Sequence, residues 1–220
     1  MQKISVISPV YNASQILETF VNRILINIKK INENYEIILI DDCSTDDSWK
    51  KLIILKSKIN NIKIKRNKRN IGQHPTIKEA LKIANGDLIF ILDCDLQDDP
   101  KYFKKLMKLK TNSKIAVFGK IKNQNKKGFW SIFYWYVFYL FTGIKNLYDI
   151  TTFSLIDKMH SKELIKMNSK AFIYAEIIRK FPIKYFFYNR KKRYLGESSY
   201  SFFKLLRLGY NWFINYSRHK

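Results

Sequence analysis

Residues 88–99 decide the fold, and they read Leu-Ile-Phe-Ile-Leu-Asp-Cys-Asp-Leu-Gln-Asp-Asp. The first five form a continuous apolar run, as is typical of a strand in the middle of a parallel sheet, where both faces are covered. Four more strands are predicted, at residues 4–7, 35–40, 62–64 and 115–118, with helix-like segments between them. Strands that alternate with helices predict an α/β fold: a mostly parallel, Rossmann-like sheet with helices on both faces.

The helices are predicted from the spacing of apolar residues and from capping patterns. In the first helix, apolar residues between Leu17 and Ile28 recur on one helical face. Another helix is expected at residues 48–56, and Pro100 is expected to begin a further one. Thr76 and Glu79 form a capping-box pattern that predicts the start of a helix, and Asn85-Gly86 suits its end.

Polar clusters follow three of the predicted strands, at residues 8–12, 41–46 and 93–98. Ligands of open parallel sheets bind beyond the carboxyl ends of the strands, so these clusters are expected to share one site. Carboxylates gathered at one edge repel each other unless a cation neutralises them. Oxygen ligands alone indicate Mg²⁺ or Mn²⁺, which usually bridges substrate phosphates. Helix capping explains Asp41-Asp42 about equally well when that pair is taken alone, but three clusters on equivalent strand ends favour a nucleotide diphosphate site.

The charge of the chain is strongly positive, with 41 Lys+Arg against 18 Asp+Glu and a net charge of +23. Such a charge favours anionic partners, although an AT-rich coding bias that inflates Lys accounts for part of it. The sequence contains no helix-turn-helix, zinc-finger or aromatic RNA-binding signature, so nucleic acid is not expected as a partner. Two cysteines are too few for a disulfide framework or a cysteine-based zinc site, which favours a reducing, cytoplasmic setting.

The character of the chain changes after residue 120. Residues 129–141 are rich in aromatic side chains, and residues 201–220 can form an amphipathic helix with an aromatic face and a basic face. Such helices suit an anionic membrane surface, although packing against the core is the other interpretation. With no signal peptide and no apolar run of membrane-spanning length, we expect a cytoplasmic protein that lies peripherally on the inner face of the membrane.

The ordered motifs resemble those of family 2 glycosyltransferases, in residues 8–12, 41–46, 69–73, 84–87 and 93–98. They are most similar to the branch that includes dolichol-phosphate mannose synthases and bacterial polyprenyl-phosphate glycosyltransferases. The resemblance is strong over residues 3–118 and weaker at 152–157 and 193–201. It implies a GT-A type fold, with a nucleotide-sugar-binding core at 1–120. Residues 121–220 would then be an acceptor-side and membrane-interface segment of the same single domain, including C-terminal amphipathic aromatic helices.

The resemblance also implies roles for individual residues. Those that would bind the nucleotide are Pro9, Tyr11, Asn12, Asp41, Asp42, Gly72 and Gln73, with Asp42 at the edge of the base. The catalytic group would comprise Asp93, Asp95, Gln97 and Arg193, with Asp93 and Asp95 as the metal motif and Asp95 as the direct ligand. Arg193, Ser198, Ser199 and Tyr200 would lie near the diphosphate and the acceptor. Ala13 and Asp99 depart from the family pattern, but neither change removes a metal ligand.

The function implied is a metal-dependent, inverting transfer of sugar from a nucleotide-sugar donor to a polyprenyl-phosphate-type lipid. A lipid phosphate is already ionised and needs no protein base, and none is obvious: Asp149, Asp157 and Glu176 are better explained as surface or capping residues, and His74 as a packing residue. One alternative is transfer to a lipid-linked saccharide in surface polysaccharide assembly. Another, from a different class, is a non-catalytic basic protein that binds membranes. The donor sugar, its base, the acceptor and the oligomeric state stay open.

Overall fold

A computed structural model describes residues 2–122, 136, 139, 150–166 and 173–191, with the backbone alone at 173, 174 and 176. Its strands are β1 (Ile4–Val10), β2 (Tyr35–Asp41), β3 (Ile62–Arg66), β4 (Leu88–Ile91), β5 (Ala116–Ile121), β6 (Ile150–Asp157) and β7 (Ile183–Tyr188). Its helices are α1 (Leu17–Ile28), α2 (Ser48–Lys58), α3 (Gln73–Ile83), α4 (Phe103–Leu109), α5 (Lys158–Lys166) and α6 (Ile173–Lys180), with a 3₁₀ turn at Pro100–Tyr102 before α4.

The seven strands form one sheet in the order β3-β2-β1-β4-β6-β5-β7. The β1 strand pairs in parallel with both β2 and β4, while β6 is antiparallel to both β4 and β5. The carboxyl ends of β1, β2, β3, β4, β5 and β7 therefore share one edge, here called the carboxyl edge. The predicted mostly parallel α/β sheet is confirmed.

Alternate strand residues point to opposite sides of the sheet, so the sheet has two apolar faces, and helices cover both of them. The face covered by α1, α2 and α4 carries a large apolar core that includes Phe20, Phe90 and Phe103. The other face, under α3, α5 and α6, carries a second core that includes Ile77 and Phe118. All seven residues of β2 are buried, as expected for a strand covered on both faces.

Two strands, β6 and β7, were not predicted, and both come from the segment after residue 120. They widen the sheet to seven strands, so that segment contributes to the same sheet as the nucleotide-binding motifs. The functional division at residue 120 stays a prediction. The amphipathic helix expected at 201–220 and the aromatic stretch at 129–141, apart from residues 136 and 139, lie outside the described residues.

Both predicted ends of α3 were wrong. The helix begins at Gln73, directly after Gly72 at φ +91, and Thr76 instead accepts a hydrogen bond from the Asn67 amide at 3.0 Å. The helix ends at Ile83, before an extended Ala84. Gly86 is needed for close packing rather than for capping, because a Cβ there would lie 2.5 Å from the backbone nitrogen of Ser5.

Candidate active site

The loops that follow β1 and β2 are joined by side-chain hydrogen bonds at the carboxyl edge. Asn12, in a left-handed conformation at φ +48, accepts from the Thr45 amide at 2.9 Å and donates its own amide to Ser44 Oγ at 3.0 Å. Ser48 Oγ accepts the Ala13 amide at 2.8 Å. Asn and Asp are among the few residues that adopt this conformation readily. Asn12 therefore supports the shape of the site, and a role in contacting the nucleotide stays a prediction.

Tyr11 is an exposed aromatic residue at this edge, with 46% of its surface accessible. It directly follows β1, and Pro9 lies two residues earlier within that strand. An exposed aromatic ring at a strand end suits stacking against a base. Contact of Pro9 and Tyr11 with the nucleotide stays a prediction.

Asp41 is completely buried at the end of β2. Its Oδ2 pairs with Arg66 Nε at 3.0 Å and accepts the Ser44 amide at 3.2 Å. The guanidinium of Arg66 also lies 5.8 Å from the centre of the Trp49 ring. Asp41 Oδ1 has no hydrogen-bond partner among the described residues, but the atom is buried, and contact with the nucleotide stays a prediction.

Asp42 holds the loop that leads into α3. Its carboxylate accepts hydrogen bonds from the backbone amides of Ile71 at 2.9 Å and Gly72 at 2.8 Å, and from the Asn67 side chain at 2.9 Å. Gly72 permits this approach because its φ of +91 suits only glycine. Asp42 therefore has a structural role that the sequence did not indicate, and contact with the base would be an additional one.

Gln73 connects this loop to the end of β4. Its Nε2 donates to Asp93 Oδ1 at 2.6 Å. Asp95 Oδ1 accepts the Gln97 amide at 3.1 Å, and Leu96 between them has φ +61. The tight turn thus keeps Asp93 and Asp95 on the same short segment, and both are half-buried.

The donor set at this turn fits Mg²⁺ or Mn²⁺. Two carboxylates on one short turn offer the oxygen ligands these ions prefer, and few protein ligands leave positions for phosphate and water. Burial raises the pKa of Cys94 to about 12, and the negative charges of Asp95 and Asp93 add to this effect. Both carboxylates therefore contribute negative charge to the same turn. Within the described ranges no group of three or more His, Cys, Asp or Glu side chains forms a metal cluster, so a bound ion would need ligands from its substrate.

A basic residue that the sequence analysis overlooked, Arg190, lies beside Asp93. Its Nη2 is 3.4 Å from Asp93 Oδ2, and its Nε is 3.2 Å from Asp98 Oδ1. Asp98 is fully buried and also accepts a short hydrogen bond from the Tyr188 hydroxyl, whose oxygen can accept in turn from the Thr151 hydroxyl at 3.1 Å. Burial raises the pKa of Asp98 to about 7, although Arg190 opposes the shift by favouring the carboxylate.

Lys191 continues the connection between β7 and the turn after β4. Its carbonyl accepts from Gln97 Nε2 at 2.9 Å, and its Nζ lies 2.7 Å from Asp99 Oδ2. The departure at Asp99 therefore has a local explanation, because the carboxylate also caps the following turn through the Lys101 amide at 3.1 Å. Residues 188–191 and 93–99 are thus joined by hydrogen bonds and ion pairs.

Three other titratable residues do not suit a catalytic role, two of them as bases and one as a nucleophile. Burial lowers the pKa of His74 to about 4, so the ring binds a proton poorly, and its burial agrees with the expected packing role. Asp157 pairs in register with Leu88, which puts it at the edge opposite the carboxyl edge. There it forms a close ion pair with the buried Lys110, and it is no acceptor-side base. Burial keeps the Cys94 thiol protonated, so it is no nucleophile.

The predicted acceptor-side residues Arg193, Ser198, Ser199 and Tyr200 lie outside the described residues, as does Asp149. Of Glu176 only the backbone is described. Their roles stay predictions. The sequence signal that was missed is the aromatic strand Ile183–Tyr188 followed by Asn189 and Arg190, which repeats the pattern of a strand that ends in polar residues.

The fold and this edge define a GT-A type α/β domain. The solved mannosyl-3-phosphoglycerate synthase of Rubrobacter xylanophilus superimposes with a TM-score of 0.69 at 15% identity, over 99% of this chain and 74% of that one. The mannosyltransferase PcManGT of Pyrobaculum calidifontis, solved with GDP-Man and Mn²⁺, gives a TM-score of 0.59 at 14% identity, over 83% of this chain and 54% of that one. Identities this low show the fold alone.

The profile of Glycosyl transferase family 2 matches residues 5–165, so the chain belongs to that family. It is also 40% identical, over 110 residues, to the undecaprenyl-phosphate 4-deoxy-4-formamido-L-arabinose transferase of Photorhabdus laumondii subsp. laumondii. The match covers 49% of this chain and 34% of that relative, so the chain corresponds to about a third of the length of that protein. The glycosyltransferase class and the resemblance to the polyprenyl-phosphate branch are confirmed.

No helix in the described part of the chain is long and apolar enough to cross a bilayer.

Proposed function

We propose that this chain transfers a sugar from a nucleotide-sugar donor to a polyprenyl-phosphate-type lipid, with a divalent metal ion and with inversion at the anomeric carbon. The observation that carries the proposal is the turn after β4, where Asp93 and Asp95 lie together at the carboxyl edge, beside the loops of β1 and β2. The similarity to an undecaprenyl-phosphate transferase supports the lipid acceptor. The similarity to a fold solved with GDP-Man and Mn²⁺ supports the donor class and the metal.

The metal ion would be held by Asp93 and Asp95. When bound it would neutralise negative charge on the departing diphosphate, which is the usual contribution of such an ion. Gln73 orients Asp93 by its hydrogen bond, and the backbone amide of Gln97 does the same for Asp95. Holding ligands in place in this way reduces the reorganisation that binding requires.

The nucleoside would lie over the loops of β1 and β2. Tyr11 offers an exposed ring, and Asp41 offers a buried acceptor oxygen without a protein partner in the described part of the chain. Asn12 and Asp42 keep the two loops and the start of α3 in position. These residues bind and orient the donor, and none of them is required to move a proton.

The transfer itself is a single displacement. An oxygen of the lipid phosphate forms a bond to the anomeric carbon while the bond from that carbon to the diphosphate oxygen breaks, so the configuration inverts. A lipid phosphate is ionised at neutral pH and needs no general base. Of the candidate bases named from the sequence, His74 and Asp157 are both unsuitable.

A lipid acceptor implies that the site works at a membrane surface. We infer a cytoplasmic, peripheral location, with basic and aromatic residues of the C-terminal segment in contact with anionic headgroups on the inner face. The net charge of +23 and the amphipathic sequence of residues 201–220 support this location. The same chemistry suits a lipid-linked saccharide as the acceptor, in which case a protein base is required.

The experiment is a transfer screen with nucleotide-sugar donors and Mn²⁺, each tested with undecaprenyl phosphate, with a lipid-linked saccharide and with no acceptor. Transfer that requires undecaprenyl phosphate is the expected result. Transfer only to the saccharide would replace the phosphate acceptor by the alternative. Absence of both transfer and donor hydrolysis across the screen would favour a non-catalytic, membrane-binding protein.

A further inference from the structure

The contacts of Arg190 leave part of its guanidinium unused. Its Nε and Nη2 are bound by Asp98 and Asp93, whereas Nη1 makes no hydrogen bond to any residue in the described ranges. The side chain is 24% exposed, so it is fixed in place without being sealed in the core. An arginine with three of its five N–H donors anchored and two remaining is prepared to bind an additional oxyanion.

The two anchoring carboxylates hold Arg190 differently. Asp98 is fully buried, contacts both Nε and Nη2, and is itself held by Tyr188, so it fixes the plane of the guanidinium. Asp93 contacts Nη2 alone at 3.4 Å, which is longer than the 2.7–2.9 Å or so of a strong charge-assisted hydrogen bond. The contacts with Asp98, at 3.2 and 3.4 Å, are also long, so the two sides differ in the number of contacts: Asp98 binds two nitrogens of Arg190 and Asp93 binds one.

Arg190 lies beside Asp93, at the end of the site where the proposed function puts the metal and the diphosphate. The nucleoside end is formed by the loops after β1 and β2, and Asp93 and Asp95 carry the opposite charge to that of Arg190. A diphosphate would lie between the turn that carries Asp93 and Asp95 and the guanidinium of Arg190. It would then contact positive charge on the side that faces Arg190. Arginine suits this task because its planar fork binds phosphate oxygens in pairs.

We infer that Arg190 binds a phosphate of the donor's diphosphate, and that Asp98 and Tyr188 are positioning residues that hold it there. This inference rests on the proposed nucleotide-sugar function. It differs from the prediction for Arg193, because it concerns a residue at the end of β7 that the sequence did not indicate. It also gives a role to Asp98, which contacts Arg190 rather than any metal ligand position.

The test compares a nucleoside diphosphate with its nucleoside, because only the diphosphate can reach Arg190. Calorimetry in the presence of Mn²⁺ would measure binding of UDP and uridine, and of GDP and guanosine, to the intact chain, to Arg190→Gln and to Arg190→Lys. Arg179→Gln, an exposed arginine on α6, is the matched control. Arg190→Gln is expected to weaken binding of the diphosphate about tenfold or more while the nucleoside binds as before, and Arg190→Lys to weaken it less.

Tyr188→Phe tests the positioning role, since it removes the hydroxyl that holds Asp98 and leaves Arg190 in the chain. It should reduce diphosphate affinity by a smaller factor than Arg190→Gln and leave nucleoside affinity unchanged. An equal loss for diphosphate and nucleoside, or no loss for either in a folded Arg190→Gln protein, would overturn the inference while the proposed function stands. If the unaltered chain binds neither UDP nor GDP, the proposed function itself fails, and the inference with it. Thermal melting of each variant identifies any protein that has unfolded.

Discussion

Gln73 Nε2 lies 2.6 Å from Asp93 Oδ1, and the residue before it, Gly72, donates its amide to Asp42 at 2.8 Å. Two consecutive residues thus connect the end of β2 with the end of β4. The nucleoside end and the metal end of the proposed site are thereby linked through the start of α3. A substitution at one end of the proposed site is therefore expected to affect the other end.

The first prediction concerns Asp42. Asp42→Ala removes the acceptor of three hydrogen bonds, from Ile71, Gly72 and Asn67, and is expected to lower the free energy of unfolding by about 2–3 kcal/mol. It should also weaken nucleoside diphosphate binding, and it should speed hydrogen exchange in residues 67–73. Denaturant unfolding and calorimetry measure these effects. Asp47→Ala, at an exposed carboxylate that pairs with Lys50, is the control and should change stability little. Unchanged diphosphate affinity in Asp42→Ala would argue against contact with the base.

A second prediction concerns the metal. Asp95→Asn keeps the size of the side chain but removes the charge, so it should abolish transfer and the Mn²⁺-dependent part of nucleotide binding while the fold persists. Removal of the metal with EDTA should have the same effect on the unaltered chain. Asp87→Asn, at an exposed position directly before β4, is the matched control and should retain activity. Full activity of Asp95→Asn, or of the unaltered chain in EDTA, contradicts the metal assignment.

Two glycines test the packing of the sheet. An added Cβ at Gly86 would lie 2.5 Å from the Ser5 nitrogen and 2.6 Å from its Oγ, whereas at Gly72 it would meet nothing within 4 Å. Gly86→Ala is therefore expected to cost about 3 kcal/mol, because the backbone of β1 must move. Gly72→Ala should cost about 1–2 kcal/mol, from the strain of its positive φ alone. Chemical denaturation gives both values, and the reverse order would contradict the close contact between Gly86 and β1.

The pH dependence of stability is predicted from Glu36, a buried carboxylate at the opposite edge from the site. Burial alone raises its pKa, but hydrogen bonds from Lys63, Ser5 and the Asn85 amide outweigh burial and hold the pKa below the ordinary value of 4.5. A carboxylate whose pKa is lowered by folding stabilises the folded state at pH values above its ordinary pKa. This stabilisation is lost as the pH falls through the folded-state pKa.

Glu36→Gln should therefore be less stable than the unaltered chain at pH 7, by about 1 kcal/mol, with a difference that shrinks as the pH falls below 4.5. Unfolding measured at several pH values checks this prediction. Glu33→Gln, at a nearby exposed position, should leave the pH profile unchanged. A difference that is constant from pH 7 down to pH 3 would show that Glu36 does not act through its charge.

The last prediction concerns the membrane surface. The full chain should sediment with anionic liposomes at low salt and be released at high salt, because screening weakens the attraction of Lys and Arg to the headgroups. Each basic residue near the surface adds about 1 kcal/mol at best, so the binding is reversible. A chain that lacks residues 201–220 should bind less while it retains nucleotide affinity. Full-length protein that stays in the supernatant at low salt would contradict the peripheral location.

The sequence predicted the parallel half of the sheet well, because β1, β2 and β4 are apolar runs that end in polar residues. It missed β6, which has Thr151 and Thr152 directly after its first residue and whose antiparallel pairing with β4 depends on contacts far apart along the chain. It located the start of α3 wrongly, because Thr76 matched a capping pattern whereas the positive φ of Gly72 decides where the helix begins.

For the site, the motifs indicated Asp93 and Asp95, but they could not indicate which cation lies beside them. Arg190 reaches Asp93 only because β7 pairs with β5 in a register that brings Tyr188 opposite Ile121. Registers of this kind depend on the whole sheet. Arg193, three residues later, matched the family pattern and was named instead.

The insertion of β6 between β4 and β5 has a consequence for the order in which the chain is made. When a ribosome has released residues 1–91, the parallel unit β3-β2-β1-β4 is complete, but the outer edge of β4 has no partner until residue 157 has emerged. At common synthesis rates this delay lasts on the order of several seconds. During that interval the nascent chain presents an apolar strand edge, which is a site for chaperones or for wrong pairing with another chain. A stalled product ending near residue 121 is therefore expected to aggregate, whereas one that includes β6 closes that edge.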